Sequence, residues 1–246
     1  MGLFEQPARR EAAAVHAGTD TDNPVPSRAS ALASCIMPTA NRRRFVPHAI
    51  RCFLAQDYTE KELVILDDGD ESVEDLVPSH PQIRYIWHSG RESVGAKRNR
   101  ACEEASGEII VHWDDDDWSA PWRLSYQVRT LLAAGADLCG LARVFFADFE
   151  ARRAWEYVYP QGAYAWVHGA TLCYRKRLWR RSVFPDVNVG EDSHFVWNAH
   201  GARLLALPDN RFLSAWFIMA TPVRSECEMR TGSPGRWQRF RHWLRP

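Results

Sequence analysis

Apolar residues come in short runs that end on turn or acidic residues, with longer segments of helical spacing between them. Ala31–Met37 is one run, stopped by Pro38, and Glu62–Leu66 is a second, ending in Asp67-Asp68-Gly69. Runs of this length bounded by turn signals read as buried strands. Between them Phe45, Ile50, Phe53 and Leu54 recur at helical spacing. Ile83–Trp87 reads as a strand, Val94–Ala105 as a helix closed by Ser106-Gly107, and Glu108–Trp113 as a strand that runs into Asp114–Asp117. A further helix starts at Pro121, extends to about Ala134 and is closed by Gly135. Strands alternating with helices predict an α/β fold built on a mostly parallel, Rossmann-like sheet flanked by helices.

The pattern changes after Gly135. Asp137–Phe149, Trp155–Tyr159 and Ala165–Tyr174 are aromatic and β-branched, with little helix between them, and predict a smaller mixed sheet. Val189–Trp197 reads as a loop entering a helix, and Leu204–Leu207 and Phe212–Phe217 as last strands. The breaker Gly232-Ser-Pro-Gly235 sets off a basic, aromatic tail in which Trp237, Phe240 and Leu244 fall near one helical face. Residues 1–29 have no clear period and read as a mobile lead-in, leaving residues 30–220 as the ordered domain and 221–246 as the tail.

With 246 residues, 46% of them apolar, the chain can bury one sizeable α/β core or two small ones. Lys+Arg and Asp+Glu are both 31, so no global field marks a nucleic-acid binder. Cys35, Cys52, Cys102, Cys139, Cys173 and Cys227 form no C-x-x-C pair and read as reduced thiols of a cytoplasmic protein. The N-terminal stretch has no long apolar run, and Phe212–Ala220 is too short to span a bilayer, so a soluble or at most peripheral protein is expected.

The acids are informative by position. In an open parallel sheet, ligands bind beyond the carboxyl ends of the strands, where Asp67-Asp68 and Asp114–Asp117 both fall. Four consecutive carboxylates repel one another and raise each other's pKa. They are tolerated facing water, as a solvated turn before a helix, or neutralised by a cation. Oxygen-only ligands suit Mg2+ or Mn2+, which take one or two carboxylates and fill the shell with phosphate oxygens and water. Asp114 and Asp116 would hold such an ion and leave room for a diphosphate. Trp118 and Ser119 break both an EF-hand frame and a D-D-x-x-D frame, and Ala96 breaks the P-loop frame of Gly90–Lys97.

Taken in order, several motifs resemble those of family 2 glycosyltransferases of the GT-A fold. They are Met37-Pro38-Thr39-Ala40-Asn41-Arg42, Val64–Gly69, Gly95–Asn99 before Ala105–Glu108, His112–Trp118, His168–Arg175 and Gly190-Glu191-Asp192. The resemblance covers about residues 32–217 and implies a nucleotide-binding half (30–118) and an acceptor half (119–220). It departs from the family pattern at Ala40, where an aromatic residue is common, and at Asp70, where Ser or Thr is usual.

The resemblance implies an inverting, metal-dependent transfer from a nucleoside-diphosphate sugar, with UDP first among the donors, to the hydroxyl of an unidentified acceptor. Pro38, Thr39, Asn41, Arg42, Asp67, Asp68, Arg98, Asp114 and Asp115 would line the nucleotide. Asp68 would accept from the base, since a carboxylate only accepts, and Arg98 would donate to phosphate or base edges. Asp116, with Asp114, would hold Mn2+ or Mg2+. Asp192, with Glu191 beside it, would be the general base, although an acidic pair also suits a helix N-terminus. His168, Gly169, Trp166 and His194 would line the acceptor side. The tail has three open readings: peripheral contact with the inner face of an anionic membrane, a lid over the diphosphate, or a solvated end. A sugar nucleotidyltransferase and a non-catalytic nucleotide-sugar-binding module are the competing readings of the whole chain.

Overall fold

The computed structural model describes residues 31–148, 153–158, 166–207, 214–217 and 236–239. The lead-in of residues 1–29 and most of the tail lie outside the described residues. The elements run β1 (Ala33–Thr39), α1 (Val46–Leu54), β2 (Lys61–Asp67), β3 (Ile83–Trp87), α2 (Val94–Glu104), β4 (Ile109–His112), β5 (Asp117–Ser119), α3 (Arg123–Ala133) and β6 (Leu138–Leu141). They continue β7 (Arg143–Asp148), β8 (Arg153–Val158), β9 (Cys173–Arg175), α4 (Lys176–Arg181), α5 (Glu191–Asn198), β10 (Leu204–Leu207), β11 (Ser214–Phe217) and β12 (Arg236–Arg239).

A seven-stranded sheet in the order β10-β6-β9-β4-β1-β2-β3 forms the centre. Strands β4, β1, β2 and β3 are parallel, and β9 is antiparallel to both β4 and β6. The chain leaves β1 for β2 and β3 on one side, then crosses to β4 on the other. That reversal opens a crevice between the carboxyl ends of β1 and β4. Side chains alternate across the sheet. Cys35, Met37, Leu63, Ile65 and Val111 pack with α1 and α3, while Ile36, Val64, Leu66 and Ile110 pack with α2, α4 and α5. Helices α2 and α5 therefore share a face, where Phe184 and Phe195 stack at 4.4 Å.

A second sheet, β12-β8-β7-β11-β5, takes over where the first ends. Residues 138–148 form two strands, β6 and β7, and the chain changes sheets at Ala142. Leu138–Leu141 is buried throughout, whereas Arg143 is exposed beside a buried Val144. The expected strand stop at Pro38 is corrected too, since β1 continues to Thr39. The Ile36 carbonyl takes the Trp113 N–H on the β4 side. Pro38, two residues on, points the same way, where β4 has departed and no N–H is needed.

Ala165–Tyr174 is largely not strand. Gly169–Thr171 is a 3-10 turn, closed by a Thr171 hydroxyl that donates to the His168 carbonyl at 2.7 Å, and only Cys173–Arg175 pairs. The tail's helical reading is corrected for Arg236–Arg239, which is a strand antiparallel to β8. The rest of the tail, including Phe240 and Leu244, is outside the described residues. Cys35, Cys52, Cys102, Cys139 and Cys173 are buried and unbridged. Among the described residues no helix is long and apolar enough to cross a membrane.

Candidate active site

The acidic run is the hinge between the two sheets. Strand β4 ends at His112, Trp113 is buried with its indole N–H on the Ala49 carbonyl, and β5 then enters the second sheet. The four carboxylates take different directions. Asp114 accepts from Arg98 at 3.2 Å. Asp115 is buried, accepts the Thr39 hydroxyl at 2.6 Å and lies 3.4 Å from Arg42. Asp116 pairs with the same Arg42 guanidinium. Asp117 is enclosed, and neither oxygen has a hydrogen-bond partner.

Burial, with the neighbouring acids, pushes Asp115 up to about 7 despite Arg42 and Thr39. It also raises Asp116 and moves Asp117 well above the carboxylate range. The structure thus offers a partly exposed pair, Asp114 and Asp116, backed by the more deeply buried Asp115 and Asp117. Among the described residues no group of three or more His, Cys, Asp or Glu side chains forms a metal cage. Two carboxylates fit an ion that takes the rest of its shell from phosphate and water. Arg42 supplies the positive charge at Asp116 in this form.

Arg123, which the sequence reading missed, locks the hinge from beneath. It is fully buried and donates to Gln127 at 3.0 Å, Ser119 at 2.9 Å, and the His112 and Ala170 carbonyls at 2.8 and 2.9 Å. Nothing in the local pattern marks a helix N-terminal arginine as buried.

The turns after β1 and β2 are clasped together. Asn41 has a left-handed backbone, φ 56°, and exchanges hydrogen bonds with Asp70 at 2.7 and 2.8 Å. A Cβ at Gly69 would lie 2.9 Å from the Asn41 nitrogen, so the clasp needs glycine. The family departure at Asp70 thus has a local partner in Asn41, and a second in Arg91 at 3.2 Å. Asp67 is consumed by the turn, accepting the Gly69 N–H at 2.8 Å and the Tyr85 hydroxyl at 2.6 Å. Asp68 accepts from Lys97 at 2.7 Å and from the Glu92 N–H at 2.8 Å. Burial opposes its ionisation, but those two bonds win and hold it below its usual range. Lys97 also donates to the Thr39 carbonyl at 3.1 Å, tying α2 to both turns.

Arg98, one residue on, is 5% exposed. Its Nη2 meets Asp114 at 3.2 Å and its Nε meets Glu191 at 3.2 Å, while Nη1 is buried with no hydrogen-bond partner. Burial disfavours the charge, and Asp114, Glu191 and Asp192 more than restore it, so Arg98 stays cationic.

At the far end of the Arg98 bridge, Gly190 enters α5 with φ 82°. The Ser193 N–H donates to Asp192 Oδ1 at 2.7 Å. A Cβ at Gly169 would sit 1.5 Å from Asp192 Oδ2, so glycine is required for Asp192 to rest there. The buried His112 ring meets the Gly169 carbonyl at 2.8 Å. His168 lies under the same turn, its ring 6.0 Å from Phe146, and burial pulls it down to about 4 against the field of Asp192. Trp166 and His194 instead meet through Trp197, at 5.5 and 5.8 Å. At about 100° per residue Trp197 lies roughly 140° round α5 from Asp192. That aromatic group is therefore on another side of the helix from the Asp192 side chain. Trp197 was missed, though its i, i+3 spacing from His194 was readable.

A profile of glycosyl transferase family 2 matches residues 34–189. The chain belongs to that family. The putative colanic acid biosynthesis glycosyl transferase WcaA of Escherichia coli is 33% identical over 171 residues, covering 68% of this chain and 57% of WcaA. The GalNAc(5)-diNAcBac-PP-undecaprenol beta-1,3-glucosyltransferase of Campylobacter jejuni is 29% identical over 90 residues, 34% of this chain and 29% of that enzyme. This family 2 chain thus spans little more than half of the first relative and under a third of the second. Among solved structures, S. aureus TarS 1-349 with UDP superposes with a TM-score of 0.62 at 19% identity, covering 76% of this chain and 60% of TarS 1-349. PcManGT of Pyrobaculum calidifontis, a mannosyltransferase in complex with GDP-Man and Mn2+, gives 0.61 at 21% identity, covering 82% and 60%. The layout is the GT-A fold. The family match ends before Glu191 and Asp192.

Proposed function

We propose that this family 2 chain is an inverting glycosyltransferase that moves a sugar from a nucleoside-diphosphate sugar to an acceptor hydroxyl. The observation that carries this reading is Arg98, whose guanidinium touches Asp114 on one side and Glu191 on the other. It brings the acidic end of β4 and the N-terminus of α5 into one crevice, at the switch point where an α/β sheet takes its ligand. The donor lies over Pro38 and Thr39, with Asn41 and Asp67 shaping the turns. Asp68 holds Lys97 and the Glu92 backbone around the base. Its enclosed carboxyl reaches the base directly only if Glu92 gives way. UDP is put first among donors because TarS binds it, and the GDP-Man complex of PcManGT is the alternative.

Asp114 and Asp116 would hold Mn2+ or Mg2+, which supplies Lewis-acid stabilisation of the departing diphosphate. Arg42 and the unpaired Nη1 of Arg98 add donors for phosphate oxygens, with Asp115 supporting through Thr39. The acceptor hydroxyl attacks the anomeric carbon from the face opposite the diphosphate, Asp192 takes its proton, and the anomeric C–O bond breaks to release the nucleoside diphosphate. His168 and Gly169 place Asp192, and Trp166 and His194 form an outer part of the acceptor side. A cytoplasmic location, with peripheral membrane contact through the tail, belongs to the same proposal.

Thermal-shift screening of UDP, GDP and their sugars with and without Mn2+ tests it, since a ligand that binds only the native state raises the midpoint. Asp192→Asn is expected to keep the donor-induced shift and lose turnover. Full turnover in that variant would remove Asp192 as the base.

A further inference from the structure

Helix α2 is fastened along its length to the segment that delivers the base. The Ser93 hydroxyl donates to Asp186 at 2.5 Å, the Val94 N–H to the Asn188 side chain at 3.1 Å, and the Gly95 N–H to the Val187 carbonyl at 3.1 Å. A Cβ on Gly95 would lie 1.9 Å from the Pro185 carbonyl oxygen, so backbone meets backbone there. The Asn99 amide donates to the Phe184 carbonyl at 2.9 Å, and its oxygen accepts from the Phe184 N–H and the Trp179 indole, each at 2.9 Å. Arg98 closes the strip on Glu191, the residue before Asp192. The opposite side of the same helix turn sends Lys97 to Asp68 and Thr39.

We propose that Glu191 and Asn99 are positioning residues: through Arg98 and the Phe184 backbone they fix the distance between the diphosphate site and Asp192, and Glu191 is not a second base. The inference rests on the glycosyltransferase reading. Its physical basis is that one rigid helix carries the contacts of both substrate sides. Glu191 Oε1 is occupied by Arg98 Nε, and Glu191 is 6% exposed, which leaves it poorly placed to take a proton from an acceptor. Asn99, which the family motif includes without an evident role, holds Phe184 by both its N–H and its carbonyl.

The test uses the full chain and release of nucleoside diphosphate from UDP-glucose, UDP-GlcNAc or GDP-mannose with water as acceptor. Glu191→Gln keeps an oxygen for Arg98 Nε and is expected within a few-fold of wild type, with the acidic limb of the kcat–pH profile unchanged. Glu191→Ala and Asn99→Ala are expected to lose about 10–100-fold in kcat with donor KM little changed, the scale of a misplacement of about 1 Å. UDP binding by calorimetry with Mn2+ confirms that each variant is folded. If Glu191→Gln is as slow as Glu191→Ala, or if Glu191→Ala matches wild type, the positioning role is wrong. Wild-type protein that releases no nucleotide from any of the three donors overturns the transferase reading and this inference with it. Turnover that survives Asp192→Asn overturns the base assignment, and with it the claim that Glu191 and Asn99 act by placing Asp192, while the transferase reading stands.

Discussion

Gly169 and Arg42 show how single positions set this site. A methyl group at Gly169 would displace Asp192 by contact with its Oδ2, Cγ and Cβ. Gly169→Ala is expected to keep UDP binding and lose about 100-fold or more in turnover, read from nucleotide release. Arg42 competes for the acids that would take the ion. Without it, Asp116 loses its cationic partner, so Arg42→Ala is expected to bind Mn2+ several-fold more tightly in the absence of nucleotide, measured by calorimetry. Unchanged or weaker binding would mean that the ion does not use Asp116. At this scale the sequence was partly legible. The position of Asp114 and Asp116 at a strand end singled them out, and resemblance to the family motifs singled out Arg98 and Asp192. Lys97, Arg123 and Trp197 were not chosen, because a charged or aromatic residue on a helix reads as solvated until its three-dimensional partners are known.

Among the elements, the turn from β4 to β5 carries the most electrostatic tension. Asp115 has its pKa raised from 3.8 to about 7 in the folded chain. A raised carboxyl pKa means that the native state holds its proton longer than the unfolded chain does. Its contribution to stability is therefore full below about 3.8 and is lost as pH climbs through about 7. Ligand-free wild-type protein is expected to lose thermal stability across that window. Asp115→Asn, which can still accept from Thr39, is expected to match wild type at pH 4 and exceed it at pH 8. Parallel melting curves for the two would refute this. The first half was legible because β1, β2 and β4 are buried runs and β3 a half-buried one, with helices after β1 and β3. The second half was harder for stated reasons. Strands β6 and β7 are adjacent but belong to different sheets, Gly169–Thr171 is apolar and buried yet a turn, and α4 shows only Leu178 and Trp179 as apolar positions in six residues.

For the whole molecule, the α/β layout followed from alternation of elements alone. A smaller mixed sheet was expected in the second half, but not its order, β12-β8-β7-β11-β5, which depends on segments far apart in sequence. The acidic turn runs directly from β4 of the first sheet into β5 of the second, so the two sheets are joined by adjoining elements rather than by a long linker. Donor binding is accordingly expected to raise one cooperative melting transition instead of splitting it. Two resolved transitions by calorimetry with saturating UDP and Mn2+ would contradict this.

Strand β12 has a consequence beyond catalysis. Among the described residues it supplies the outermost rung beside β8. A chain cut before Arg236 would leave the β8 backbone with a row of unanswered amide and carbonyl groups, a surface that recruits any extended neighbour. Such a shortened protein should self-associate as its concentration rises, visible as early-eluting species in size-exclusion chromatography, while its nucleotide crevice stays intact.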